Sequence, residues 1–190
     1  ALERMPANHR TLHWAQALVY GHLLCRARGL AELTVALVYF DVGTQKETSL
    51  AETHSARELE IFFVEQCECF LDWAVQEDAH RAARNAALSA LQFPHGTFRS
   101  GQRELAVSVY RAARDGTPLM AQAPTGIGKT LATIFPLLKA CASDQIDRVF
   151  FLTAKTPGRA LALDAIETLH RSAALSATRL PLRTLELVAR

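Results

Sequence analysis

Seven consecutive residues near the middle of the chain, Pro124-Thr125-Gly126-Ile127-Gly128-Lys129-Thr130, combine the groups needed to hold a phosphate. Glycine at 126 and 128 permits backbone angles and a closeness of approach that a Cβ forbids. Where such a loop opens a helix, its N–H groups and the helix N-terminus converge on one spot, and the macrodipole there favours negative charge. Lys129 supplies a point charge for β- and γ-phosphates, and the Thr130 hydroxyl is a candidate ligand for Mg²⁺, the only metal-ligand candidate in this set. The expected nucleotide-contacting residues are therefore Ala123, Pro124, Thr125, Gly126, Ile127, Gly128, Lys129 and Thr130, with Lys129 and Thr130 as the catalytic candidates. One departure stands out, since the pattern GxxxxGK[ST] begins with Gly and this chain has Ala123. The bland alternative is a structural Gly-rich turn that happens to end in Lys-Thr.

A phosphate loop needs a strand before it and a helix after it. Leu119 to Ala123 is a short apolar stretch, Leu131 to Cys141 is helical, and Arg148-Val-Phe-Phe-Leu-Thr153 is strand-like, which together predict a β–loop–α–β unit. Pro136 lies beyond the first turn and is expected to kink the helix without ending it. Upstream, a helix over about Gly101 to Arg114 is broken by Asp115-Gly116-Thr117-Pro118.

The first half has its own organisation. Apolar residues Leu12, Ala15, Val19, Leu23 and Ala27 recur at helical steps over residues 11–27, and Gln16 and Tyr20 lie one turn apart on one face. Leu33 to Val42 reads as a strand, Gly43-Thr44 as a turn, and Gln45 to Ala51 as a second strand. Ser55 and Glu58 have capping-box spacing and open a helix whose expected buried stripe is Leu59, Phe62, Phe63, Phe70 and Trp73. A further helix is expected over about Glu77 to Leu91, ending at Phe93-Pro94-His95-Gly96-Thr97. A boundary near residue 90 also divides the charge: residues 1–88 carry 8 basic and 12 acidic side chains, residues 89–190 carry 13 and 7. Neither imbalance is large enough to require a nucleic-acid partner.

At 190 residues, 49% apolar and 21% charged, the composition is globular and no apolar run approaches a membrane span. Four cysteines make no disulfide framework, and without a signal-peptide pattern a cytoplasmic, thiol-reduced protein is expected. The chain opens Ala-Leu-Glu without Met, so residue 1 is not expected to be the natural start.

The form A-x-T-G-x-G-K-T resembles motif I of superfamily 2 helicases. Phe98-Arg99-Ser-Gly-Gln102-Arg103-Glu104, then Ala121 to Thr130, then Phe150-Phe151-Leu-Thr-Ala-Lys-Thr156 together resemble the start of a DinG/XPD-like iron–sulfur DNA helicase over about residues 93–190. The resemblance implies that Gln102 hydrogen-bonds adenine and that Thr153, Lys155 and Thr156 grip the backbone of single-stranded DNA, with Arg159 adding to the patch. Hydroxyls and a lysine suit phosphate oxygens, although Gln102 as a solvated helix residue and Lys155 and Arg159 as ordinary surface charges are the plain alternatives. The Gln16…Tyr20 helix followed by Val35-Ala-Leu-Val-Tyr-Phe40 is similar to the QxxxY region of RecB-type PD-(D/E)XK nucleases, a weaker pattern.

Several groups that such enzymes need are missing from the sequence. The fifteen residues before Gln16 hold no Asp…Glu-x-Lys set for a nuclease centre. Glu77-Asp78-Ala79-His80 mimics a DEAH box but lies before the phosphate loop in a helical polar stretch. Cys67 and Cys69 point to nearly opposite sides of a helix, Cys25 and Cys141 read as buried, and His9 and His13 lack an acidic or thiol partner, so iron–sulfur ligands are expected only in a longer parent.

The sequence therefore predicts an α/β fragment: the C-terminal part of a PD-(D/E)XK-like domain over 1–90, then the N-terminal part of a P-loop, RecA-like parallel-sheet domain over 91–190. The expected parent is an ATP-dependent DNA helicase acting in repair or replication, with ATP and Mg²⁺ as cofactors, single-stranded DNA as partner, no membrane association and a monomeric state. The fragment alone is expected to be inactive. A stand-alone P-loop phosphotransferase, and a non-catalytic interaction module or degenerate gene product, are the competing classes.

Overall fold

The periodic apolar positions of the first segment fold as helix α1, Ala7–Arg28. The computed structural model describes residues 7–143, 146–154, 156–175 and 179–188, and these belong to two units, Ala1–Gln76 and Glu77–Arg190. The divide lies upstream of the charge and punctuation boundary near residue 90.

In the first unit, strands β1 (Glu32–Asp41) and β2 (Lys46–Ser55) pair antiparallel, from Glu32 opposite Ser55 to Asp41 opposite Lys46. The turn is closed by Asp41, whose Oδ1 accepts from the Gly43 and Thr44 N–H groups at 2.9 and 3.1 Å, a side-chain mimic of a backbone turn. Those N–H donors, Thr44 foremost, hold the Asp41 carboxyl below its ordinary range. Gly21 lets α1 settle on the hairpin: a Cβ there would sit 3.2 Å from Val35 Cγ2 and 3.3 Å from Leu59 Cδ1. Cys25, Val35 and Leu59 are buried, and buried His22 stacks on Phe63 with ring centroids 4.6 Å apart.

Helix α2 runs unbroken over Ala56–Ala90, where two helices are expected from the sequence. No Gly or Pro interrupts these 35 residues, so nothing local ends the helix. Its start has the expected capping box, with the Ser55 N–H donating to Glu58 Oε2 at 2.8 Å and the Glu58 N–H to Ser55 Oγ at 3.2 Å. The expected buried stripe is only partly right. Leu59 is buried, but Phe70 and Trp73 are 65% and 56% exposed, because nothing in the first unit packs on that later part of the helix among the described residues.

The second unit is built from the end of α2 with α3 (Gln102–Asp115), α4 (Lys129–Cys141) and α5 (Thr156–Leu175). Ala87, Leu88 and Leu91 pack with Leu131, Ile134, Ala165 and Leu169 in one core, and Phe93 stacks on Phe98 at 3.9 Å. Gly116, at φ 64°, ends α3. The structure corrects the expected β–loop–α–β unit. Among the described residues the β1–β2 hairpin is the only sheet, and Leu119–Ala123 and Arg148–Thr153 are irregular. A parallel strand exists only through the hydrogen bonds of its neighbours, and neither stretch has a ladder partner here. Met120 and Leu152 are accordingly 100% and 88% exposed. No helix is long and apolar enough to cross a membrane, among the described residues.

Candidate functional site

The loop before α4 takes the conformation that its glycines permit. Gly126 has φ 84° and Gly128 has φ 83°, a region that L side chains enter only at a cost. Gly128 is the N-cap of α4, with no side-chain cap bond, so the orphan N–H groups of the helix start are not satisfied by a neighbouring hydroxyl or carboxylate. Among the described residues, the main-chain N–H groups of Gly126, Gly128, Lys129 and Thr130 have no hydrogen-bond acceptor, and that of Ile127 makes no bond of ordinary geometry although it closes the Thr125–Gly126 turn towards the Pro124 carbonyl. Four free donors at a helix start form a concavity suited to an anion. The helix continues through Pro136 to Cys141.

Lys129 stands at the first position of α4 and curls back, its Nζ donating to the carbonyls of Pro124 at 2.8 Å and Ala123 at 3.1 Å. The ammonium is thus held against the loop, and the Thr130 side chain is half-buried beside it in the sequence. The donor set fits a nucleotide: free amides and Lys129 for phosphate oxygens, and the Thr130 hydroxyl for Mg²⁺, which would supply charge neutralisation on the phosphates.

Gln102 begins α3 and is buried, 3% exposed. Its Oε1 accepts from the Arg99 N–H at 3.0 Å and its Nε2 donates to the Gly128 carbonyl at 3.3 Å. Both ends of the amide therefore face protein, and one of them faces the Gly-rich loop itself. Arg99 is a second contact on that loop, its Nη1 donating to the Gly126 carbonyl at 2.8 Å. Sequence reasoning quoted Arg99 without giving it a role. The available signal was its place three residues before Gln102.

The residues expected to hold single-stranded DNA are less assembled. Thr153 is exposed and packs near the first turn of α5, where a Cβ on Gly158 would lie 3.1 Å from Thr153 Cβ. Thr156 opens α5 and is exposed. Arg159 is ion-paired through Nε with Glu186 at 2.7 Å. Lys155 lies outside the described residues.

In the first unit Gln16 and Tyr20 do share a face, the Gln16 Nε2 donating to the Tyr20 hydroxyl at 3.2 Å. They line a groove of about 410 Å³ with His13, Leu37 and Tyr39, and His13 Nδ1 is 3.1 Å from the Tyr39 hydroxyl. No group of three or more His, Cys, Asp or Glu able to hold a metal occurs among the described residues. Cys25 and Cys141 are buried, and Cys67 and Cys69 are exposed on α2. The DEAH-like Glu77–His80 lies within α2, where Glu77 pairs with Arg183 at 2.7 Å.

No curated protein and no solved structure matches the chain. Residues 100–186, which hold the loop, α3, α4 and α5, match the family model for the DEAD/DEAH box helicase, and this supports a superfamily 2 helicase, a nucleic-acid-dependent ATPase that uses ATP and Mg²⁺.

Proposed function

We propose that this chain is part of an ATP-dependent DNA helicase of the DinG/XPD-like kind, in which nucleotide held at Gly126–Thr130 is coupled to single-stranded DNA held by Thr153, Lys155, Thr156 and Arg159. The observation that carries this reading is the loop itself: four free N–H donors, two positive-φ glycines and Lys129 meet at the start of α4. Such a loop binds phosphates by fixed dipoles and one mobile charge. The helicase family match over residues 100–186 supports the helicase part of this reading. In this reading Gln102 recognises adenine, Thr130 ligates Mg²⁺, and the Gln16–Tyr20 groove belongs to a nuclease-like unit whose catalytic carboxylates lie elsewhere. In the proposed parent an iron–sulfur cluster takes its thiolates from outside this chain. Repair or replication of DNA is the proposed setting.

Lys129→Ala tests the reading. In the 190-residue chain the expected result is loss of Mg²⁺–ADP binding with an unchanged melting curve. In the parent protein, ATP hydrolysis stimulated by single-stranded DNA should fall by about a hundredfold or more, the scale of removing a preorganised charge from a phosphoryl-transfer site. Retained DNA-stimulated hydrolysis would sink the assignment.

A further inference from the structure

We propose that Arg99 is a positioning residue of the nucleotide site, one that turns a loop carbonyl aside so that the amide behind it faces the β-phosphate. This rests on the nucleotide-binding reading above. The peptide unit is planar and trans, so its C=O and N–H point in opposite directions. Arg99 Nη1 holds the Gly126 carbonyl at 2.8 Å, and the N–H of Ile127 in that same peptide therefore points away from the guanidinium. Gln102 does the equivalent two peptides further on: its Nε2 holds the Gly128 carbonyl at 3.3 Å, which directs the Lys129 N–H to the other side. Among the described residues the Lys129 amide lacks an acceptor, and that of Ile127 makes no bond of ordinary geometry.

The need for such a clamp follows from the glycines. With Gly at 126 and 128, each peptide can rotate at little steric cost. A rotated peptide presents a carbonyl, not an N–H, and a carbonyl repels a phosphate. A loop that depends on glycine for closeness therefore needs something outside itself to fix the orientation of its peptides. Arg99 and Gln102 form one linked device, because the Arg99 N–H also bonds Gln102 Oε1 at 3.0 Å. The close seating of Gln102 is seen at Gly128, where a Cβ would lie 2.5 Å from Gln102 Nε2. Arg99 itself is exposed, so its removal does not open the core.

The test compares wild type, Arg99→Ala and Arg99→Lys in the 190-residue chain, by titration with Mg²⁺ and a fluorescent ADP and by displacement with inorganic tripolyphosphate. Arg99→Ala is expected to weaken both ADP and tripolyphosphate by about tenfold, the scale of one charge-assisted hydrogen bond. Arg99→Lys, which keeps a cationic donor, should recover part of the loss, and all three proteins should share one melting curve. Loss of ADP with tripolyphosphate unchanged would show that Arg99 contacts the base, and the inference would fall. Equal binding by wild type and Arg99→Ala would overturn it as well. If wild type binds neither ligand, the nucleotide-site reading itself fails and takes the inference with it, a result distinct from the other two.

Discussion

Gly128 carries two constraints, one in its own backbone and one from a neighbour, and they can be separated by comparison with Gly126. Both glycines have positive φ, but a Cβ on Gly126 meets nothing within 4 Å, while one on Gly128 meets Gln102 Nε2 at 2.5 Å. Gly126→Ala should therefore cost about 1–2 kcal/mol, the penalty for a left-handed L-residue. Gly128→Ala should cost that plus the displacement of a buried amide from its partners, about 1–3 kcal/mol more. Urea denaturation of the two variants measures the difference, and equal losses would show that Gln102 yields freely. At this scale the sequence was informative wherever chemistry depends on residue identity. Two glycines, a lysine and a threonine, by type and spacing, are the basis of the proposed phosphate loop, and both glycines have the positive φ that the loop needs. Arg99 was not legible in the same way, because its contact is a main-chain carbonyl 27 residues away and a backbone carbonyl carries no sequence signal.

Elements were legible where their signals are local. The Ser55–Glu58 spacing specified the start of α2, and the structure has both reciprocal bonds. Ser55→Ala should lower stability by about 0.5–2 kcal/mol, readable in thermal or denaturant melts. The same box has a pH signature. The Ser55 N–H and hydroxyl donate to the Glu58 carboxylate and hold its pKa below the ordinary 4.5. A carboxylate depressed on folding contributes stability that is fully present above its unfolded value and is lost as pH falls through the lower folded value. Between pH 5 and 3 the wild type should thus lose stability more steeply than Glu58→Gln, and parallel profiles would mean that the box is not formed in solution. Strands were the opposite case. Leu119–Ala123 and Arg148–Thr153 have strand-like composition, but a strand is completed by partners, and none pairs with them among the described residues. The exposed Phe70 and Trp73 have the same cause: helical period shows which residues share a face, while burial depends on what packs against it.

Across the whole molecule, the charge division seen in the sequence survives the shift of boundary. Residues 1–76 carry 6 basic and 10 acidic side chains, and residues 77–190 carry 15 and 9, so the positive excess belongs to the unit that holds the proposed phosphate loop and DNA contacts. Binding of a single strand to that unit should release counterions and weaken with salt, with a slope of about −0.7 per neutralised phosphate in a double-logarithmic plot. Arg159 makes a specific prediction, because its guanidinium is bonded to Glu186 at 2.7 Å and both side chains are about 40% exposed. An exposed pair of this kind contributes about 0–1 kcal/mol, little enough for a DNA phosphate to displace the carboxylate. Glu186→Gln should then raise affinity for an oligothymidylate by up to about fivefold, the most that such a pair can withhold. Arg159→Ala should lower the affinity and reduce the salt slope by about 0.7. Fluorescence anisotropy between 50 and 200 mM KCl measures both quantities. The two variants must move affinity in opposite directions if Arg159 exchanges Glu186 for phosphate; no change in either would remove Arg159 from the DNA path and leave its pair with Glu186 as a tie between α5 and the segment that follows it.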